Sequence, residues 1–194
     1  MKEYDNIPLN SDGIVKTLLE NLSLSKLDEI EKKIKKTKKI EWKTIHIILD
    51  LEPKATPRPR YSGRTGTFYV KGAHSNKVFF KKYISDKDLP FITGALKVDC
   101  RCYIKTPSSF SKSDMIIAEL GYIRPISKPD WDNLGKTYSD MLTDVLILDD
   151  AHIVDGRCSK YYSLHPRIEM DIEYQLEPDS KYNERKINNI NERK

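Results

Sequence analysis

Residues 128–156 read KPDWDNLGKTYSDMLTDVLILDDAHIVDG, and two rhythms inside that stretch decide the fold class. Leu134, Tyr138, Met141, Leu142 and Val145 recur at i, i+4, i+7, i+8 and i+11, a single apolar stripe on a helix over about Asn133–Val145. Pro129 disfavours helix before it, and Asp132 or Asn133 is placed to cap the first turn. Beyond the paired acids Asp149 and Asp150, residues 151–163 read as a strand.

Working outward, the two-residue period returns on both sides. Residues 96–105, LKVDCRCYIK, set Leu96, Val98, Cys100, Cys102 and Ile104 against Lys97, Asp99, Arg101, Tyr103 and Lys105. Residues 167–176 place Ile168, Met170, Ile172, Tyr174 and Leu176 on one face, and Ile45, Ile47, Leu49 and Leu51 alternate until Pro53. Residues 53–66, PKATPRPRYSGRTG, read as a punctuated loop, followed by a short strand at Thr67–Lys71 and a helix over Ser75–Ile84. Residues 106–128 read as a loop carrying one short helix. Half-buried strands with helices on one side describe an α+β domain, with a mixed or antiparallel sheet packed by helices.

The ends read differently. Ile14, Val15, Leu18, Leu19 and Leu22 follow helical spacing after a cap at Ser11 or Asp12, and Leu27, Ile30 and Ile34 mark a second helix running into KKIKKTKK at 32–39. This predicts a helical, Lys-rich extension over 1–42, a domain over 43–177, and a polar, frayed tail over 178–194. No window approaches a membrane span, and MKEYDNIPLNSDG has no apolar signal core, so a cytoplasmic protein is expected. The three cysteines make neither a disulfide framework nor a Cys-x-x-Cys zinc pattern, and Cys100 and Cys102 read as small core residues rather than ligands.

A net charge of +5 conceals strong segregation of sign. Residues 53–82 hold eight basic side chains and no acid, interleaved with Tyr61, Phe68, Tyr69, Phe79 and Phe80; residues 130–155 hold seven aspartates opposed only by Lys136. Such segregation points to a polyanionic partner and, beside it, a site for cations. Arg58, Arg60, Arg64 and Lys71 are the candidate phosphate contacts; Tyr69, Phe79 and Phe80 read as core. Asp130 and Asp132 flank a helix start, Lys136 follows one turn on, and Asp149–Asp150 come after the chain has had room to return. Carboxylates placed to converge in this way offer oxygen-only ligation suited to magnesium or manganese. Taken alone, Asp132 is better explained as an N-cap and Asp149–Asp150 as turn residues. Asp130, Asp132 and Gly135 match three positions of a calcium loop, but Leu134 and Met141 break it.

KPDWDNLGK followed by LDDAHIVD resembles the signature of the RusA-type Holliday junction resolvases, metal-dependent endonucleases common in prophages. The pattern Asp-x-Asp-Asn-x-x-Lys, a helix, then Asp-Asp-x-x-(Ile/Val) is met by Asp130, Asp132, Asn133, Lys136, Asp149, Asp150 and Ile153, with PRPRYSG upstream resembling phage-borne members and His152 standing where glutamine is frequent. The resemblance covers about residues 43–176 and implies a RusA-like single domain. It assigns metal-binding and catalytic carboxylates to Asp130, Asp132 and Asp150, with Asp149 in support or in its place, and a functional lysine to Lys136. It further implies Mg2+, with Mn2+ able to substitute, a homodimer, and four-way DNA junctions as substrate in recombination and repair. Same-fold nucleases acting on flaps, forks or RNA, and a non-catalytic module binding branched DNA, are the alternatives.

Overall fold

Alternating side chains build the sheet, and one amphipathic helix covers it. This computed structural model describes residues 12–20, 22–38, 40–55, 60–62, 67–69, 75–85 and 87–175. Along the chain come α1 (Asp12–Glu20), α2 (Leu24–Thr37), β1 (Lys43–Leu49), β2 (Arg60–Ser62), β3 (Thr67–Tyr69), α3 (Ser75–Ser85), β4 (Leu96–Lys105), α4 (Lys112–Glu119), α5 (Trp131–Leu142), a 3-10 turn (Asp150–His152), β5 (Ile153–Ser163) and β6 (Arg167–Tyr174). The arrangement is α+β, and the chain divides into two units, Met1–Glu41 and Trp42–Lys194.

The first unit contains α1 and α2. Leu27, Ile30 and Ile34 are half-buried along α2, while Lys33–Glu29 at 2.8 Å and Lys35–Glu31 at 3.7 Å pair on its solvated side. Such exposed pairs stabilise a helix by only about 0.3–0.5 kcal/mol each.

In the second unit the sheet runs β1-β6-β4-β5, antiparallel except for the parallel β4–β5 pair. Register makes rows across it. Ile47, Met170, Cys100 and Cys158 form one row on the core face; His46, Asp171, Asp99 and Arg157 form the next on the polar face. A one-residue slip would exchange the two, so burial of one face fixes the register. Against the core face α5 lays Leu134, Tyr138, Met141 and Leu142, joined by Phe80 of α3. Each such side chain stabilises by roughly 1.5–3 kcal/mol when buried. The Tyr138 hydroxyl keeps a partner there, accepting from the Lys54 N–H at 3.1 Å.

Three local expectations are corrected. The main helix starts at Trp131 and stops at Leu142, two residues earlier and three earlier than its apolar stripe suggested. Thr143 leaves helical conformation (φ −61°, ψ 135°), and Asp144 turns the chain at φ 61°, returning Leu146 and Ile147 to the core. The segment read as a loop over 53–66 contains β2, which pairs antiparallel with β3 as Arg60↔Tyr69, Tyr61↔Phe68 and Ser62↔Thr67. Phe80 is fully buried, but Phe79 is 43% exposed rather than part of the core. Leu176 and the tail from 178 lie outside the described residues. Among those described, no helix is long and apolar enough to cross a membrane.

Candidate active site

Two acids mark the start of α5. Asp130 is its N-cap residue (φ −69°, ψ 142°) and makes no side-chain capping bond; Asp132 stands in the first helical turn. Both are exposed. Their two-residue spacing therefore spans an extended residue and a helical one. Negative charge at this end is favoured by the helix dipole.

Side chains hold this turn against β5, the edge strand. Its outward carbonyls have no neighbouring strand to satisfy them. The Trp131 indole N–H donates to Cys158 O at 2.6 Å, and Arg124 Nε donates to Lys160 O at 2.7 Å. In return Lys160 Nζ donates to Ser127 O at 2.9 Å and Pro129 O at 3.0 Å. The Arg124 guanidinium lies 3.6 Å from the Tyr161 ring centroid, and Tyr161 stacks on Tyr103 at 5.3 Å. The chain leading to Asp130 is thus pinned on both sides of the strand.

Beneath α5 a cavity of about 310 Å³ opens between the helix and the β4–β5 pair, its lining including Trp131, Asp132, Lys136, Cys100, Arg157 and Cys158. Lys136 pairs with Asp140 one turn on at 3.5 Å, and both are exposed. Asp130, Asp149 and Asp150 lie outside this lining. Asp149 Oδ1 accepts from the Ala151 N–H at 2.9 Å and so caps the 3-10 turn that exposed Asp150 begins; that turn packs against α5. Among the described residues, only Cys100, Cys102 and Cys158 form a group of three metal-capable side chains with ligand atoms within 4.8 Å of one another. The acids stand on adjoining elements without closing into such a group. Arg58, Arg64 and Lys71 lie outside the described residues, as does the side chain of Arg60.

The opposite face of the sheet carries a network that sequence reading did not single out. Arg101 Nη1 lies 2.7 Å from Asp171 and 3.4 Å from Asp99, while its Nε lies 3.4 Å from Glu169. Arg167 adds a 2.7 Å contact to Glu169, His46 Nδ1 lies 2.6 Å from Asp171, and Lys97 Nζ lies 3.1 Å from Glu173. The Arg101 hydrogen bond holds the Asp171 carboxyl below its ordinary range. At Glu169, burial pushes the carboxyl up, but hydrogen bonds from Arg167, Arg101 and Tyr103 outweigh it and leave it lowered. The signal in the sequence was opposite charge at alternate positions of two strands, Lys97–Asp99–Arg101 and Glu169–Asp171–Glu173; only their register reveals the pairing. Trp131, Arg124 and Lys160 were also missed, because each acts on a backbone group remote in sequence.

Comparison with known proteins gives two matches. The profile of the family described as "Endodeoxyribonuclease RusA" matches residues 50–173, which include Asp130, Asp132, Lys136, Asp149 and Asp150. The chain is also similar to "Uncharacterized protein YqaN" of Bacillus subtilis (strain 168), 37% identical over 128 residues, covering 62% of this chain and 89% of that protein.

Proposed function

This chain belongs to the RusA family of endodeoxyribonucleases, and from that premise we propose that it hydrolyses phosphodiester bonds of branched DNA, four-way junctions foremost, in recombination and repair. The observation that carries the reading is the grouping at one helix start: exposed Asp130 and Asp132, with Lys136 one turn on beside an open cavity.

The donor chemistry fits magnesium, with manganese able to replace it. Hard carboxylate oxygens suit the ion, which keeps several waters and takes few carboxylates besides phosphate oxygens, so the acids of α5 and of the 3-10 turn suit it by donor type. Asp130, free of any capping bond, Asp132 and Asp150 would hold it, with Asp149 supporting Asp150 through the turn it caps. Bound there, it would supply Lewis-acid charge to the scissile phosphate and acidify an attacking water.

The chain's own side chains do the rest. Lys136 Nζ donates to a phosphate oxygen in place of Asp140, an exchange that costs little because the exposed pair contributes at most about 1 kcal/mol. The positive start of α5 favours the anionic substrate in the same place. Arg58, Arg60, Arg64 and Lys71 contact the flanking backbone, which makes binding salt-sensitive. As a homodimer, two identical sites cut opposed strands of one junction.

The test is a labelled synthetic four-way junction with Mg2+, Mn2+ or EDTA, beside Asp132→Asn. Paired, symmetric cuts that require metal and vanish in the variant support the reading. Faster cutting of flaps, forks or RNA would reassign the substrate, and junction binding without cuts under either metal would leave a DNA-binding module.

A further inference from the structure

Three sulfurs that look unrelated in sequence meet in the fold. Cys100 and Cys158 are register partners across the parallel β4–β5 pair, and Cys102, two residues along β4, faces the same way. All three are free thiols, with Sγ atoms within 4.8 Å of one another and Cys100 Sγ 3.8 Å from Cys102 Sγ. Tetrahedral bonds of about 2.3 Å to sulfur hold the sulfurs about 3.8 Å apart. Little movement is therefore needed to place one ion among them.

The surroundings differ from those of ordinary core cysteines. Cys102 is fully buried and Cys100 is 3% exposed, but Cys158 is only partly buried, and both Cys100 and Cys158 line the cavity beneath α5. An ion seated on the sulfurs would have its fourth position open to that cavity. Hydrogen bonds from the Cys100 and Cys102 thiols, assisted by the positive charge of Lys160, lower the Cys158 thiol below its ordinary value.

We propose that Cys100, Cys102 and Cys158 form a three-sulfur site for a thiophilic d10 cation, Zn2+ first, reached through the cavity beneath α5. The site is distinct in chemistry from the oxygen-only carboxylates: soft sulfur selects zinc-like ions, whereas those acids select magnesium. Its fourth ligand is water or a group entering the cavity, since among the described residues no fourth metal-capable side chain joins the three sulfurs.

The test uses reduced, metal-free, full-length protein titrated with Co2+ under exclusion of oxygen. The expected result is one Co2+ per chain, with sulfur-to-cobalt charge-transfer absorption and the strong visible bands of a tetrahedral ion, both erased by one equivalent of Zn2+. Cys158→Ser loses the charge-transfer band of a three-sulfur site and binds at least about tenfold more weakly. Cys158→Ala reads the same loss should the serine variant fail to fold. Asp130→Asn keeps the full spectrum, which separates this site from the nuclease site and lets either reading fail alone. No charge-transfer band at saturating Co2+, or an unchanged band in the Cys158 variants, would reduce the thiols to packing residues.

Discussion

The cavity beneath α5 and a hollow of about 370 Å³ on the other face of the sheet share Val98 and Arg157 in their walls, yet they treat charge in opposite ways. In the hollow, Asp171 is engaged by both Arg101 and His46, Asp99 by Arg101, and Glu173 by Lys97. Those charges pair with one another across β1, β6 and β4, although Asp99 Oδ1 is buried there without a hydrogen-bond partner among the described residues. At the α5 cavity, Lys136 meets an exposed partner at 3.5 Å, and at the helix start outside that lining Asp130 carries no capping bond. A charge already neutralised by a close, partly buried partner has little left to give a substrate. One held loosely in solvent can be redirected to phosphate or metal at small cost.

Substitutions break or sharpen this contrast. Asp130→Asn is expected to lower junction cleavage by roughly 10³-fold or more, while junction binding in a mobility-shift assay persists, because the Asp130 side chain makes no capping bond for the substitution to break. Cleavage at the wild-type rate would remove Asp130 from the catalytic set. Lys136→Ala should slow cleavage roughly 10²-fold, yet move the urea-unfolding free energy by no more than about 0.5 kcal/mol. On the paired face the balance reverses. Arg101→Gln leaves Asp171, Asp99 and Glu169 without their shared cation and should cost about 1–3 kcal/mol of stability, with cleavage by the remaining folded protein unchanged.

A subtler effect is acid sensitivity. Asp171 and Glu169 are held below their ordinary values by Arg101 and Arg167. Their contribution is therefore fully present above the unfolded carboxylate values, around pH 4, and is lost as pH falls through the lower folded ones. Urea midpoints should stay level down to about pH 5 and then drop, and the drop should be shallower in Arg101→Gln. An equal slope in both proteins would show that the network does not set the acid limb.

Much of this fold was legible because its signals are local. The alternation of LKVDCRCYIK marked the full length of β4, and the apolar stripe of α5 marked Leu134, Tyr138, Met141 and Leu142, all buried. The boundaries of α5 were less legible, since Asp144 can turn the chain with a positive φ that no periodicity announces. β2 hid among Pro and Gly residues that read only as loop, whereas its partner β3 lies where a short strand at Thr67–Lys71 was expected. At the site, the residue types announced themselves, but their mutual placement did not. Whether Asp150 approaches Asp130 depends on how β5 registers against β4 and how α5 lies on both, terms set by packing far along the chain. Cys158 makes the same point: 56 residues beyond Cys102, nothing local joins it to the other two thiols.

The clasp between Lys160 and the carbonyls of Ser127 and Pro129, matched by the Trp131 indole on Cys158 O, has a kinetic consequence. When the outer strand breathes away from its neighbour, the turn bearing the acids must travel with it. Amide protons of Trp131–Leu134 and of Cys158–Lys160 then exchange with solvent as one unit, with one opening rate. If those acids hold the metal, a cutting-competent arrangement lasts only as long as that strand edge, and Lys160→Met is expected to shorten both together.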